Sequence, residues 1–332
     1  MNTPRRNAIA DSAPRSIADG LLRWESILVL LLAAVVIGNT IISPYFLDLY
    51  NLSDATYNFS EKAIVALAMA LLIIGREIDL SVAAIIAVAS LATGLAAQAG
   101  AGLPLLLITG PAVGFVCGVF NGTLVTRLAL PSIVVTIGTM SLFRGIAQVV
   151  LGDQVINKYP SNFTAIGQTY LVEWPPLPYS FVIFILAAIV FAVVLHKTAF
   201  GRKLYAIGNN PTAARFSGIP VDRIRFWLFV LTGTLAGVAA TLLTARIGST
   251  RPNIALGWEL EIITMVILGG VSIAGGSGTI PGVVLAIFIL GLITFGLSLV
   301  NVPGIVISVI LGCLLIASIA LPILIRRLLG KR

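Results

Sequence analysis

Charged side chains are so sparse in this sequence that the ones interrupting its apolar runs are the first place to look for chemistry. Asp79 sits in GREIDLS (75–81) between two apolar stretches. Asn121 lies between Gly118 and Gly122. Arg144 falls inside an apolar run seven residues before its end at Leu151, and Glu259 opens WELEIITMVILG (258–269). An Arg or Asp at the centre of a membrane-spanning helix costs about 2.5–3.5 kcal/mol on insertion scales, so each needs a reason to be there. With Ser81, Asp79 can cap the following helix and make 75–81 a tight turn; alternatively the segment breaks a helix that lines a polar cavity. Asn121 suits close helix packing with a hydrogen bond across helices, and substrate contact is the other role open to it. Arg144, roughly 10 Å deep by helical rise, either snorkels outwards or lines a pathway. The uncharged, glycine-rich LGGVSIAGGSGTIPG (268–282) cannot hold a continuous helix and reads as a compact turn or a re-entrant element.

Enzymatic chemistry finds little support. No lysine follows the glycines of 268–282, which excludes a phosphate-binding loop. The only histidine, His196, falls in a polar loop out of reach of any serine at depth. Cys117 and Cys313 lie within apolar runs and read as small core residues, not as a disulfide or thiolate metal site. Neither a catalytic residue nor a metal or cofactor site is expected on this chain. An ion-coupled carrier would need acidic residues at depth, and Asp79, Glu259 and Glu261 fall at the ends of apolar runs.

The elements that must position these residues follow from composition. A chain of 332 residues that is 58% hydrophobic, with 21 basic and 13 acidic side chains, has too few charges to cover a water-soluble surface. The expected fold is an all-α polytopic membrane protein. Apolar spans run at about 26–42, 63–75, 82–99, 103–120, 131–151, 178–195, 226–246, 260–274, 281–298 and 304–322, near the ~17–25 residues a crossing needs, although the second and eighth are short. With the N-terminus in the cytoplasm, 16 basic residues fall inside and four (Lys62, Lys158, Arg246, Arg251) outside. That asymmetry places both termini in the cytoplasm and explains the net charge of +8 without nucleic acid. Residues 1–23 read as a disordered cytoplasmic tail leading into a signal anchor, 24–325 as one transmembrane domain with a cytoplasmic loop at 196–226, and 326–332 as a basic cytoplasmic tail.

A weak internal repeat is also present. LALPSIVVTIG (128–138) aligns with VNVPGIVISVILG (301–313), setting Pro131 on Pro303 at an offset of 172, and EIDLSVAAIIAV (77–88) aligns with 258–269, setting Asp79 on Glu259 at an offset of 180. Matching span three to eight and five to ten is a displacement of five helices, which turns the copies opposite ways across the bilayer. Spans 2–5 and 7–10 are therefore expected to form an inverted repeat.

The loop HKTAFGRKLYAIGNNPTAARFSGIPVDRIRF (196–226) is the one inner loop large enough to do more than reverse the chain. Asn210 suits a helix N-cap, Pro211 the first helical position and Gly218 the left-handed stop. So short a helix needs a surface to lie on, either anionic lipid head groups or a partner protein. The run FGRKLYAIGNNPTAARFSGIPV resembles the signature loop of permease subunits of carbohydrate-type ABC importers, the branch that includes ribose, xylose, arabinose, rhamnose and autoinducer-2 systems. IDLSV (78–82), GVFNGTLVTRLALPSIVVTIGTMSLFRG (118–145) and 258–282 agree in order and spacing. The resemblance implies a ten-helix subunit pairing with an identical or paralogous permease in the bacterial inner membrane. It also implies cytoplasmic ATP-binding subunits that hold ATP and Mg, and a periplasmic sugar-binding protein. Gly208, Asn209, Pro211, Ala213, Ala214, Arg215 and Gly218 fall in the portion of the loop that docks on the ATPase, and Asp79, Asn121, Arg144 and Glu259 are kept as polar sites along the pathway or in its frame. The rival reading from the residues is a stand-alone facilitator or ion-coupled carrier of small polar solutes.

Overall fold

The computed structural model describes residues 24–328, so the 1–23 tail and the last part of the basic tail, 329–332, lie outside the described residues. In order, the helices are α1 (Trp24–Ile42), α2 (Leu49–Ile74), α3 (Val82–Gln98), α4 (Leu103–Thr126), α5 (Ser132–Leu151) and α6 (Ser161–Gln168). After a hairpin of β1 (Tyr170–Val172) and β2 (Leu177–Pro178) come α7 (Tyr179–Lys197), α8 (Ala199–Asn209), α9 (Pro211–Phe216), α10 (Val221–Ile247), α11 (Trp258–Leu268), α12 (Ile280–Leu299) and α13 (Gly304–Leu328). The chain is an all-α polytopic membrane protein apart from that hairpin, which pairs Tyr170 with Pro178 and Val172 with Leu177. Seven helices, α1, α2, α4, α5, α7, α10 and α12, are long and apolar enough to cross a membrane; α3 and the described apolar part of α13 are shorter.

Two expected boundaries move. The second span starts at Leu49 instead of about 63, because the Asp48 carboxylate caps α2 by accepting the Tyr50 and Asn51 amides at 3.0 and 3.1 Å. The polar residues that hide this first half from a hydropathy reading all find partners: Asp54 accepts from the Tyr170 hydroxyl at 2.8 Å, Ser53 bonds the Pro176 carbonyl, and Glu61 and Lys62 form ion pairs. The eighth span stops at Leu268 instead of 274, since Gly269 and Gly270 follow and Gly270 takes a φ of +88° that other residues rarely adopt.

At the centre, α10 packs along α4, α2 and α3, and α2 is buried from Ala63 to Ile74. Gly110, Gly114 and Gly118 recur every fourth residue on α4 and meet the backbone of Gly237, Gly233 and Phe229 on α10 so closely that none has room for a Cβ. Small residues at this spacing let helix backbones touch where lipid supplies no hydrophobic drive. One end of the bundle carries α8, α9, the turn 75–81 and the glycine run; the other carries α6 and the hairpin.

Candidate functional site

The loop face is built around α9. Asn210 Oδ1 accepts the Ala213 amide at 3.0 Å and Pro211 takes the first helical position, while Gly218, at φ +79°, lets its own amide and that of Ile219 return to the Arg215 and Ala214 carbonyls at 2.9 and 3.0 Å. Residues 199–209, which the sequence left as plain loop, form the separate helix α8. Its buried edge is Gly201, Leu204, Ile207 and Gly208. Gly208 lies against the Ile74 carbonyl and Gly276, with no space for a side chain between them.

That contact joins the loop to the glycine run. Gly276 donates its amide to the Ile74 carbonyl at 2.9 Å, and Asn209 Nδ2 donates to the Gly276 carbonyl at 3.2 Å. The Tyr205 hydroxyl donates to the Gly278 carbonyl at 2.7 Å; burial pushes its phenol above the ordinary value, which keeps it a neutral donor. Arg76 Nε donates to the Ala274 carbonyl at 2.6 Å, and His196 Nε2 accepts the Ile280 amide at 3.2 Å. Of the two readings open for 268–282, the structure has the compact turn, with backbone groups bonded to α7, α8 and the end of α2. The loop residues divide accordingly. Gly208 and Ala214 face the protein body, Ala214 packing with Ile207 and Val221, while Pro211 is half-buried. Asn209, Ala213, Arg215 and Gly218 are exposed, Arg215 in an ion pair with Asp222, and Phe216 is 90% exposed.

Asp79 and Asn121 come together one layer deeper. Asp79 Oδ1 accepts the Ser81 amide at 2.8 Å and its hydroxyl at 2.6 Å, and Asn121 Nδ2 donates to Ser81 Oγ at 2.8 Å, all fully buried. The adjacent Glu77 pairs with Arg225 at 2.9 Å and accepts from Ser132; burial still pushes its carboxyl above the usual carboxylate range. Arg76 bends the chain at a φ of +68°. The segment 75–81 is thus a tight turn held by buried side-chain hydrogen bonds.

Arg144 turns inward. Its Nη1 donates to the Pro252 and Ile254 carbonyls at 2.9 and 2.7 Å and its Nη2 to the Ala83 carbonyl at 3.2 Å. Those carbonyls locate the non-helical segment 248–257. Thr250 bonds Ser90 on α3 (Oγ1 to Oγ, 2.6 Å), Tyr159 (2.7 Å) and Ile156 through the backbone. Four residues on, Ile254 meets Arg144 beside Ala83. The segment therefore descends about 10 Å along α3, from the level of Ser90 to that of Ala83, before α11 begins. Non-helical backbone at membrane depth must be satisfied by protein, and a guanidinium, all donor and no acceptor, suits a set of carbonyls. Glu259, half-buried in the first turn of α11, lies close enough to interact with Arg144.

A further group was missed by the sequence reading. Glu61 pairs with Arg246 at 2.7 Å, Lys62 pairs with Glu261, and Lys62 Nζ sits 4.8 Å from the centre of the Trp258 ring. Glu61 and Lys62 lie midway along α2, inside a helix that hydropathy alone starts at about 63, and Glu61 is fully buried against Arg246 in the last turn of α10. The available signal was complementarity, two acids and two bases bordering neighbouring apolar runs.

The bundle, the capped loop helix and its bracing turn define a multi-pass transport permease component. Residues 51–319 match the family described as branched-chain amino acid transport system / permease component, and the chain belongs to that family. Among curated relatives, it is 34% identical over 299 residues to the autoinducer 2 import system permease protein LsrD of Escherichia coli (strain K12), covering 88% of this chain and 90% of the relative. The same protein from Shigella flexneri matches equally. No solved structure matches the chain.

Proposed function

We propose that this chain is one membrane-spanning half of an ATP-driven, binding-protein-dependent importer of a monosaccharide or related small sugar, working by alternating access. The observation that carries the reading is α9. It is a six-residue helix, too short to stand alone, with Ala213, Arg215 and Phe216 presented outwards, Ala214 facing the body, and Gly208 of the preceding α8 wedged into it. An ATP-binding subunit, holding ATP and Mg, supplies the missing surface, and movement there passes through Gly208 and Tyr205 to the turn that joins α11 to α12. The relatives' names, permease proteins of an autoinducer 2 import system, support an import system over a stand-alone facilitator, and the family description leaves amino acids as an outcome of the test.

In this reading α1 to α5, α7 and α10 to α13 make ten crossings of a bacterial inner membrane, with α9 and both termini cytoplasmic. The inverted repeat is supported by packing: α2 against α11, α3 against α5 and α4 against α10 have counterparts in α10 against α3, α11 against α13 and α12 against α2. The starts of α2 and α10, and of α5 and α13, are each offset by the same 172 residues as Pro131 and Pro303. A second permease, identical or paralogous, completes the pathway, and a periplasmic binding protein delivers solute.

The test is uptake into proteoliposomes containing the chain with the ATPase, binding protein and any paralogous permease encoded beside it. Ribose, rhamnose, autoinducer-2 and leucine are offered with and without ATP, using wild type and Arg215→Glu. ATP-dependent uptake of a sugar that collapses in Arg215→Glu is the expected result. Uptake indifferent to ATP would make the chain a facilitator.

A further inference from the structure

Folding gathers several polar side chains, distant in sequence, around the first half of α11. Glu61 and Lys62 come from α2, Arg246 from α10, Asn253 from the descending segment, and Trp258 and Glu261 from α11. A cavity of about 330 Å³, at the small end of the ~300–1,000 Å³ range of small-molecule sites, is lined by Arg246, Asn253 and Trp258. A second of about 480 Å³ meets it across Asn253. On the far side of α11, Lys62 and Glu261 line a narrow crevice.

Two pairs of opposite charge meet here, Glu61 with Arg246 and Lys62 with Glu261, and the exposed Arg251, which lines both cavities, adds further donors. Paired charges offer donors and acceptors side by side, which is what a hydroxyl, both donor and acceptor, can use twice over. Glu61 is fully buried, yet its Oε2 has no hydrogen-bond partner, which leaves one acceptor unused at the heart of the cluster. Trp258 adds an apolar ring to the wall of the cavity, matching the C–H face that a sugar ring presents between its hydroxyls.

We infer that the cavity bounded by Arg246, Arg251, Asn253 and Trp258 is a binding station for a polyhydroxylated ring, which the transported solute occupies on leaving the binding protein. The inference rests on the importer reading and adds to it a place in the permease where the solute is held. It makes Trp258 and Asn253 contact residues, and makes the two ion pairs the devices that fix hydroxyl-bonding groups in place.

The experiment uses the reconstituted complex and reads two quantities. Solute imported per ATP hydrolysed is expected to fall about tenfold in Trp258→Ala, equivalent to roughly 1.4 kcal/mol, and to stay near wild type in Trp258→Phe, which keeps an aromatic face. In a Cys313→Ser background, Asn253→Cys is labelled with a membrane-impermeant maleimide, and millimolar ribose, rhamnose or autoinducer-2 is expected to slow labelling several-fold. The labelling arm does not depend on whether Trp258→Ala folds. If wild type imports a sugar while Trp258→Ala keeps its solute per ATP and labelling is not slowed by that sugar, the binding station is overturned and the importer reading stands. Protection by leucine alone overturns the ligand class, and wild type that imports no sugar overturns both readings.

Discussion

Between α2 and α3 the chain turns within residues 75–81; between α10 and α11 it takes the longer path 248–257. Both connections join a long central helix to a shorter one, and the sequence alignment sets Asp79 in the first on Glu259 just past the second. The first supplies its own partners, its Asp79 carboxylate taking the Ser81 amide and hydroxyl with Asn121 closing the group. The second has no such residue. Its carbonyls at Pro252 and Ile254 are served from outside, by Arg144 on α5. The difference shows what the source of the donors does to a joint: the turn at 75–81 is closed, and the borrowed-donor segment leaves cavities on either side of Asn253.

Four substitutions test that contrast. The largest loss is expected in Arg144→Ala, which strands the Pro252 and Ile254 carbonyls and removes a bond to Ala83; at about 1 kcal/mol or more for each of the three bonds, unfolding in detergent should move by about 3 kcal/mol, and Arg144→Lys should recover only part of it. A wild-type unfolding midpoint in Arg144→Ala would mean that 248–257 supports itself. Asp79→Ala should cost about 2 kcal/mol by the same measurement, and Asp79→Asn less, since an amide oxygen can still accept from Ser81. If Asn and Ala lose equally, charge and not acceptor geometry holds the first turn.

Arg76 gives a smaller and more specific effect. Arg76→Ala loses the bond to Ala274 and keeps the left-handed strain, whereas Arg76→Gly loses the bond and relieves the strain. The glycine variant should therefore be more stable than the alanine variant by about 1 kcal/mol, the usual penalty for a side chain in that conformation. Equal stabilities would remove strain from the account. Smallest of all, Arg215→Ala breaks an exposed ion pair and should shift unfolding by less than ~0.5 kcal/mol, while sugar uptake falls sharply; a large stability loss would make the Arg215–Asp222 pair structural.

How far the sequence could be read follows the same physics. Continuous apolar runs marked α4, α5, α7 and α12 because helix length and hydropathy coincide there. The capped helix α9 was legible because Asn210, Pro211 and Gly218 encode their own geometry. The first half of α2 was not, since Asp54, Glu61 and Lys62 look like a loop until their partners arrive from β1, α10 and α11. Likewise Arg144 gives no hint of its role from neighbours in sequence: its three acceptors lie 61 to 110 residues away. Asp79 and Asn121, 42 apart, were singled out individually, and only folding makes them one group.

The start of α1 carries a consequence for how the molecule is made. Trp24 Nε1 donates to the Leu268 carbonyl and Glu25 accepts from Thr279, contacts spanning 244 and 254 residues. At synthesis rates of about 5–20 residues per second, α1 waits on the order of 10–50 s before its anchor exists. Throughout that interval α1 is a lodger in the lipid without its final berth, open to insertion machinery and to a neighbouring nascent chain. Its docking onto the finished glycine turn is therefore a late assembly event, and a chain truncated before Leu268 would be expected to leave α1 exposed to whatever quality control patrols the membrane.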